Sequence, residues 1–177
     1  ILYPDSDVPI VEPENIGDAD TLGEKELRTL EIVRAAIQNG ERALIYTSWV
    51  RTDSQRKLKK FLTDEGYRTE ILTDKIKTTD REEWVQKKLA AGMQVLIVNP
   101  SLVETGLDLN AFTTLVFYSM GYKLFTLRQA SRRSWRINQK APAVKVYMLY
   151  YEDTMQQKCL KLMASKLAVA GLIEGNF

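Results

Sequence analysis

Ala43-Leu44-Ile45-Tyr46 is a run of four apolar residues set between two helical patterns, and its reading decides the fold. It is too short for a helix and does not alternate polar with apolar. A strand covered on both faces reads this way. Upstream, Leu27, Leu30, Val33 and Ile37 recur at helical spacing, and Gly40 follows as a stop. Downstream, Thr52-Asp53-Ser54-Gln55 has the spacing of a capping box. It opens a helix carrying Leu58, Phe61 and Leu62, which Gly66 closes.

The same unit recurs along the chain. Residues 69–72 read as a strand, followed by a helix that Thr79 and Glu82 open as a second capping box and Gly92 ends. Residues 95–98, 114–118 and 144–150 give three further strands. A basic helix is expected over about 124–136, and a last one from near Thr154 to about Ala170. This alternation predicts an α/β fold of three layers, with a mostly parallel central sheet flanked by helices. Ligands of such sheets sit at the carboxyl ends of the strands. That places the functional candidates in residues 47–51, 73–77, 99–108 and 119–123.

Composition removes several chemistries. The 177 residues include no histidine, which excludes Ser-His-Asp and Cys-His catalysis and the usual zinc sites. The single cysteine, Cys159, has no partner for an internal disulfide and reads as a small buried thiol in a reduced compartment. No metal site is expected within the chain. With 25 Lys+Arg against 23 Asp+Glu, the overall charge does not announce a nucleic-acid binder. No apolar run approaches the roughly 18 residues of a membrane span, so a cytoplasmic protein is expected, nucleoid-associated in a bacterium. The chain begins at Ile1, which suggests a piece of something longer. Residues 1–22 carry Pro4, Pro9 and Pro13 among Asp5, Asp7, Glu12, Glu14, Asp18 and Asp20, and read as an acidic irregular lead-in to a domain spanning 23–177.

The sharpest chemistry lies in residues 129–139, Gln-Ala-Ser-Arg-Arg-Ser-Trp-Arg-Ile-Asn-Gln. On a helix, Gln129, Arg133 and Arg136 share one face. Crowded arginines suit an anion, because a planar guanidinium fork matches phosphate oxygens. A solvated basic face is the plainer reading of such a cluster. The segment resembles motif six of superfamily-two helicases, most closely that of the Swi/Snf-type translocases. There the pattern is Gln-x-x-Gly-Arg-x-x-Arg-x-x-Gln, matched by Gln129, Arg133, Arg136 and Gln139. Arg132 stands at the family's glycine and Trp135 where histidine is usual. Other segments follow in the family's order. Residues 43–49 resemble motif four. Leu72 with Arg81 resembles the Leu-Asp-Gly-Ser-Thr…Arg stretch without its Asp-Gly-Ser. Residues 98–101 and 104–109 resemble motif five.

The resemblance covers about residues 24–170 and implies a RecA-like fold, the second of a helicase's two motor lobes. It implies Arg133 and Arg136 as catalytic arginines directed at ATP, and Gln129, Gly106 and Asp108 at the nucleotide. It implies Thr47, Ser48, Lys75, Lys77, Asn99 and Thr105 as nucleic-acid contacts, although an ordinary strand-end hydrogen bond explains each of these equally well. No phosphate loop of the Gly-x-x-x-x-Gly-Lys-Ser/Thr form is present. The implied partner is therefore an N-terminal RecA-like lobe that holds ATP with Mg²⁺. The implied track is DNA, duplex favoured, with RNA left open, and this chain alone is expected to be inactive. Two alternatives stand beside it: a catalytically inactive RecA-like lobe serving as a binding module, and an unrelated α/β regulatory domain with a chance motif.

Overall fold

A computed structural model describes residues 22–47, 54–103, 107–119 and 143–174. Within them run α1 (Glu24–Gln38), β1 (Ala43–Tyr46), α2 (Ser54–Asp64), β2 (Thr69–Leu72), a 3-10 turn (Thr78–Asp80), α3 (Arg81–Ala90) and β3 (Val95–Val98). A second 3-10 turn (Pro100–Val103), β4 (Thr114–Phe117), β5 (Lys145–Met148) and α4 (Met155–Glu174) follow. The expected basic helix over 124–136 lies outside the described residues.

The five strands form one sheet in the order β2-β3-β1-β4-β5, and all four pairings are parallel. Ala43 pairs with Val95 on one side and Thr114 on the other, so side chains of equal register share a face. Leu44, Tyr46, Leu96, Val98, Leu115 and Phe117 turn to the layer that includes Val85 of α3 and Cys159 of α4. Ala43, Ile45, Val95, Ile97 and Val116 turn to Leu30 and Val33 of α1 and Leu58 and Leu62 of α2. Every residue of β1, β3 and β4 is buried, which is why these strands read as unbroken apolar runs. Tyr46 and Phe117 stack with ring centroids 4.9 Å apart.

Three local expectations are corrected. Leu27 is 47% exposed. Of the expected stripe, Leu30 and Val33 are buried and Ile37 packs against the core, and the inward face of α1 also takes Lys25, Thr29, Ile32 and Ala36. The Thr79–Glu82 capping box does not form: α3 starts at Arg81, and the Thr79 hydroxyl donates to Asp80 Oδ1 at 2.6 Å. The carboxylate of Glu82 accepts instead from the backbone N–H of Asp108 at 2.8 Å. The edge strand β5 is shorter than its apolar pattern suggested. The glycine stops are as read: Gly66 and Gly92 take φ of +89° and +86°, a region costly to any residue with a Cβ.

Candidate functional site

Parallel strands bring all their carboxyl ends to one side of the sheet. Across that side lie, in spatial order, the 73–77 loop after β2, Asn99 after β3, Thr47 after β1, Tyr118 after β4 and Leu149 after β5. Of the sequence candidates, Lys75, Lys77, Asn99, Thr47 and Asp108 are among the described residues. Ser48, Thr105, Gly106, Gln129, Arg133 and Arg136 lie outside them.

Lys75 and Lys77 are exposed, in a turn that Ile76 N–H closes onto the Thr73 carbonyl at 3.3 Å. Neither forms an ion pair with a described residue. Asn99 is engaged locally, where its Oδ1 accepts from Ser101 N–H at 3.0 Å and from the Ser101 hydroxyl at 2.8 Å. This caps the 3-10 turn after β3. Asp108 does likewise, accepting from Asn110 N–H at 3.0 Å and from Asn110 Nδ2 at 3.2 Å. Thr47 is wholly buried, and its hydroxyl finds no hydrogen-bond partner among the described residues. An orphaned hydroxyl costs stability, and such exceptions call for an explanation.

Arg81 ties the loops of this side together. It is buried and donates through Nε to the Ile76 carbonyl at 3.2 Å and through a terminal nitrogen to the Leu102 carbonyl at 2.9 Å. One guanidinium thus fixes the loop after β2 to the turn after β3. Among the described residues, no group of three or more Asp, Glu, Cys or His side chains could hold a metal ion. Of the sequence candidates described on this side, the exposed groups are the ammonium groups of Lys75 and Lys77, whereas the Thr47 hydroxyl is buried and the Asn99 side chain is engaged by Ser101.

The other half of the edge was not anticipated. Lys25, in the first turn of α1, is buried, and its Nζ donates to Gln156 Oε1 at 2.6 Å and to the Tyr118 carbonyl at 3.3 Å. The ring centroids of Tyr151 and Tyr118 lie 4.9 and 5.7 Å from it. Burial pushes the Lys25 ammonium below the ordinary lysine range, against a smaller opposing pull from Glu26. The Tyr118 phenol donates to Glu26 Oε1 at 2.7 Å. Burial first, and this carboxylate second, push the phenol far up, so it stays a neutral donor. The signal available in the sequence was periodicity: Lys25 is i−4 from Thr29 and i−7 from Ile32, at the head of a stripe that faces inward.

Comparison with known proteins bears on the whole arrangement. Residues 24–138 match the family described as the helicase conserved C-terminal domain. No curated protein sequence matches. Among solved structures, the C-terminal part of the Fun30 ATPase domain superposes with a TM-score of 0.73 at 18% identity. The match covers 83% of this chain and 47% of that one, so this chain spans about half the length of that structure. At this identity the likeness shows the fold, a RecA-like α/β sheet sandwich. The family match covers well over half of the residues, and the chain belongs to the helicase conserved C-terminal domain family.

Proposed function

We propose that this chain is the C-terminal motor lobe of a Swi/Snf-like, nucleic-acid-dependent ATP hydrolase, working against an N-terminal lobe that holds ATP and Mg²⁺. The observation that carries the reading is the family match over residues 24–138, which spans Gln129, Arg133 and Arg136. The parallel sheet supports it by leaving Lys75 and Lys77 exposed beyond the carboxyl end of β2, on the side where α/β sheets take ligands. Phosphoryl transfer needs positioning and positive charge more than a covalent partner. Arg133 and Arg136 supply that charge when the lobes close, and closure depends on nucleic acid lying across both. Duplex DNA is the proposed track, and the lobe's contacts to it go to phosphates.

The test is turnover by the protein carrying both lobes. Arg133→Ala and Arg136→Ala should each lower DNA-stimulated kcat by roughly 10³-fold or more, as loss of an arginine finger does. The KM for ATP should change far less. Arg132→Ala, at the family's glycine position, should cost little. If Arg132→Ala abolishes turnover while the other two variants keep it, the register is wrong. A second reading, a lobe that has lost catalysis and serves as a binding module, is favoured by the substitutions at Arg132 and Trp135. It predicts no DNA-stimulated hydrolysis in the wild type under duplex DNA, single-stranded DNA or RNA.

A further inference from the structure

Arg81 spends a buried guanidinium on a turn that carries exposed charge. Ile76 stands at the centre of that turn and is anchored three ways. Its side chain packs against the core cluster that includes Leu72 and Val85. Its N–H donates to the Thr73 carbonyl at 3.3 Å, and its carbonyl accepts from Arg81 Nε at 3.2 Å. Lys77 is fixed from the other end, where its carbonyl accepts from Asp80 N–H at 2.9 Å. The same guanidinium reaches the Leu102 carbonyl at 2.9 Å, so the turn is indexed to the exit of β3. The side chains on either side of Ile76, Lys75 and Lys77, are left exposed. Lys59 and Lys145 hold carboxylates at 2.9 and 2.6 Å, whereas neither Lys75 nor Lys77 pairs with a described carboxylate.

A fixed backbone under unpaired cations can bind an anion with little further ordering. Residues 74–80 also carry Asp74 and Asp80, two carboxylates to two ammonium groups. The segment therefore has no net charge to draw a polyanion from a distance. It attracts one only when its ammonium groups stand closer to the phosphates than its carboxylates do, and the backbone decides that. We propose that Arg81 is a positioning residue for a phosphodiester contact made by Lys75 and Lys77, holding both through the Ile76 carbonyl. Arg81 itself is buried and acts only through the turn. The proposal deepens the motor-lobe reading and rests on it, because that reading supplies the nucleic acid.

The test is duplex DNA binding by the protein carrying both lobes, followed by fluorescence anisotropy between about 50 and 200 mM salt. Lys75→Gln combined with Lys77→Gln should flatten the salt dependence of the binding constant by about two phosphate contacts. Arg81→Lys keeps the charge but reaches one carbonyl in place of two. It should nevertheless weaken binding by about threefold, and Arg81→Met by about tenfold with a flatter salt dependence. In the protein already lacking both lysines, Arg81→Met should change affinity by less than about twofold, because nothing is left for it to position. Gly66→Ala strains the backbone ahead of β2 and should leave affinity and salt dependence unchanged, which separates positioning from loss of stability. Losses that simply add in the triple variant overturn the positioning role, as does wild-type binding by the Arg81 variants. If the double lysine variant binds as the wild type does, the contact fails and the motor-lobe reading stands. If the wild type binds neither DNA nor RNA, that reading fails and the proposal falls with it.

Discussion

Replacing Arg81 with methionine keeps the aliphatic stem that fills its buried position and removes only the guanidinium. The loss is two hydrogen bonds from a charged donor, to the carbonyls of Ile76 and Leu102. Bonds of this kind are worth about 1.5–3 kcal/mol each, but both carbonyls belong to loops that can turn partly to water. Part of the cost is also returned because a buried cation disappears. The net destabilisation should be about 2–4 kcal/mol, read as a lower urea midpoint with an unchanged slope. For a chain of this size that is a fall in melting temperature of roughly 5–12 °C. Arg81→Lys should recover less than half, because a point charge on a flexible stem reaches one carbonyl and not the other. Local opening should precede global unfolding, with faster amide exchange over 73–77 and 100–103. If Arg81→Met melts within about 1 °C of the wild type, the guanidinium does not join the two loops, and their placement has another cause.

Thr47→Val exchanges an orphaned buried hydroxyl for a methyl of the same shape and should raise stability by about 1 kcal/mol; an earlier melt would mean the hydroxyl has a partner that matters. Gly66→Ala should cost about 1–2 kcal/mol from its φ of +89° alone, because nothing lies near the added methyl. Gly92→Ala should cost at least as much, since its φ is +86° and its Cβ would also displace the Arg68 guanidinium; a smaller loss in thermal melts would refute the left-handed geometry. At Glu70, burial alone would raise the carboxyl's pKa, but hydrogen bonds from Lys88 and Lys59 outweigh it and the value falls below 4.5. A carboxylate with a depressed folded value stabilises fully above its unfolded value and loses that contribution as pH falls through the folded one. Glu70→Gln should therefore cost about 1 kcal/mol at pH 7, from two partly exposed pairs, and the gap should close as denaturation midpoints are followed downward from about pH 4.5.

The sheet was legible because its strands are short, apolar and bounded by glycines. Residues 43–46, 69–72 and 95–98 were read to the residue because Gly40, Gly66 and Gly92 end the preceding helices where left-handed backbone was needed. On α1 only Leu27 was misassigned, because the inward face begins with Lys25 and Thr29, two residues that a count of apolar positions passes over. The second capping box failed because Glu82 had a competing donor, Asp108 N–H, 26 residues away. The Lys25 junction was invisible for the same reason: its partners lie 93 and 131 positions along the chain. Of the candidate site, the sequence placed Thr47, Lys75, Lys77 and Asn99 just after the carboxyl ends of strands, and the structure has them there. It did not reveal that Asn99 and Asp108 spend their side chains on local turns.

The sheet has two open borders among the described residues, β2 and β5. Unpaired strand backbone is a template for another molecule's strand, and charge is the usual deterrent. On β2, Glu70 gathers Lys59 of α2 and Lys88 of α3 around a four-residue strand, so a newcomer must displace three ionised groups from both helical layers. On β5, Lys145 plays that part with Glu41, while Val146 beside it is 43% exposed. The β2 border thus has a guard that acid changes without removing: once Glu70 is protonated, Lys59 and Lys88 keep their charge with no anion between them, and a paired cluster becomes two bare cations that repel the same border of a second copy.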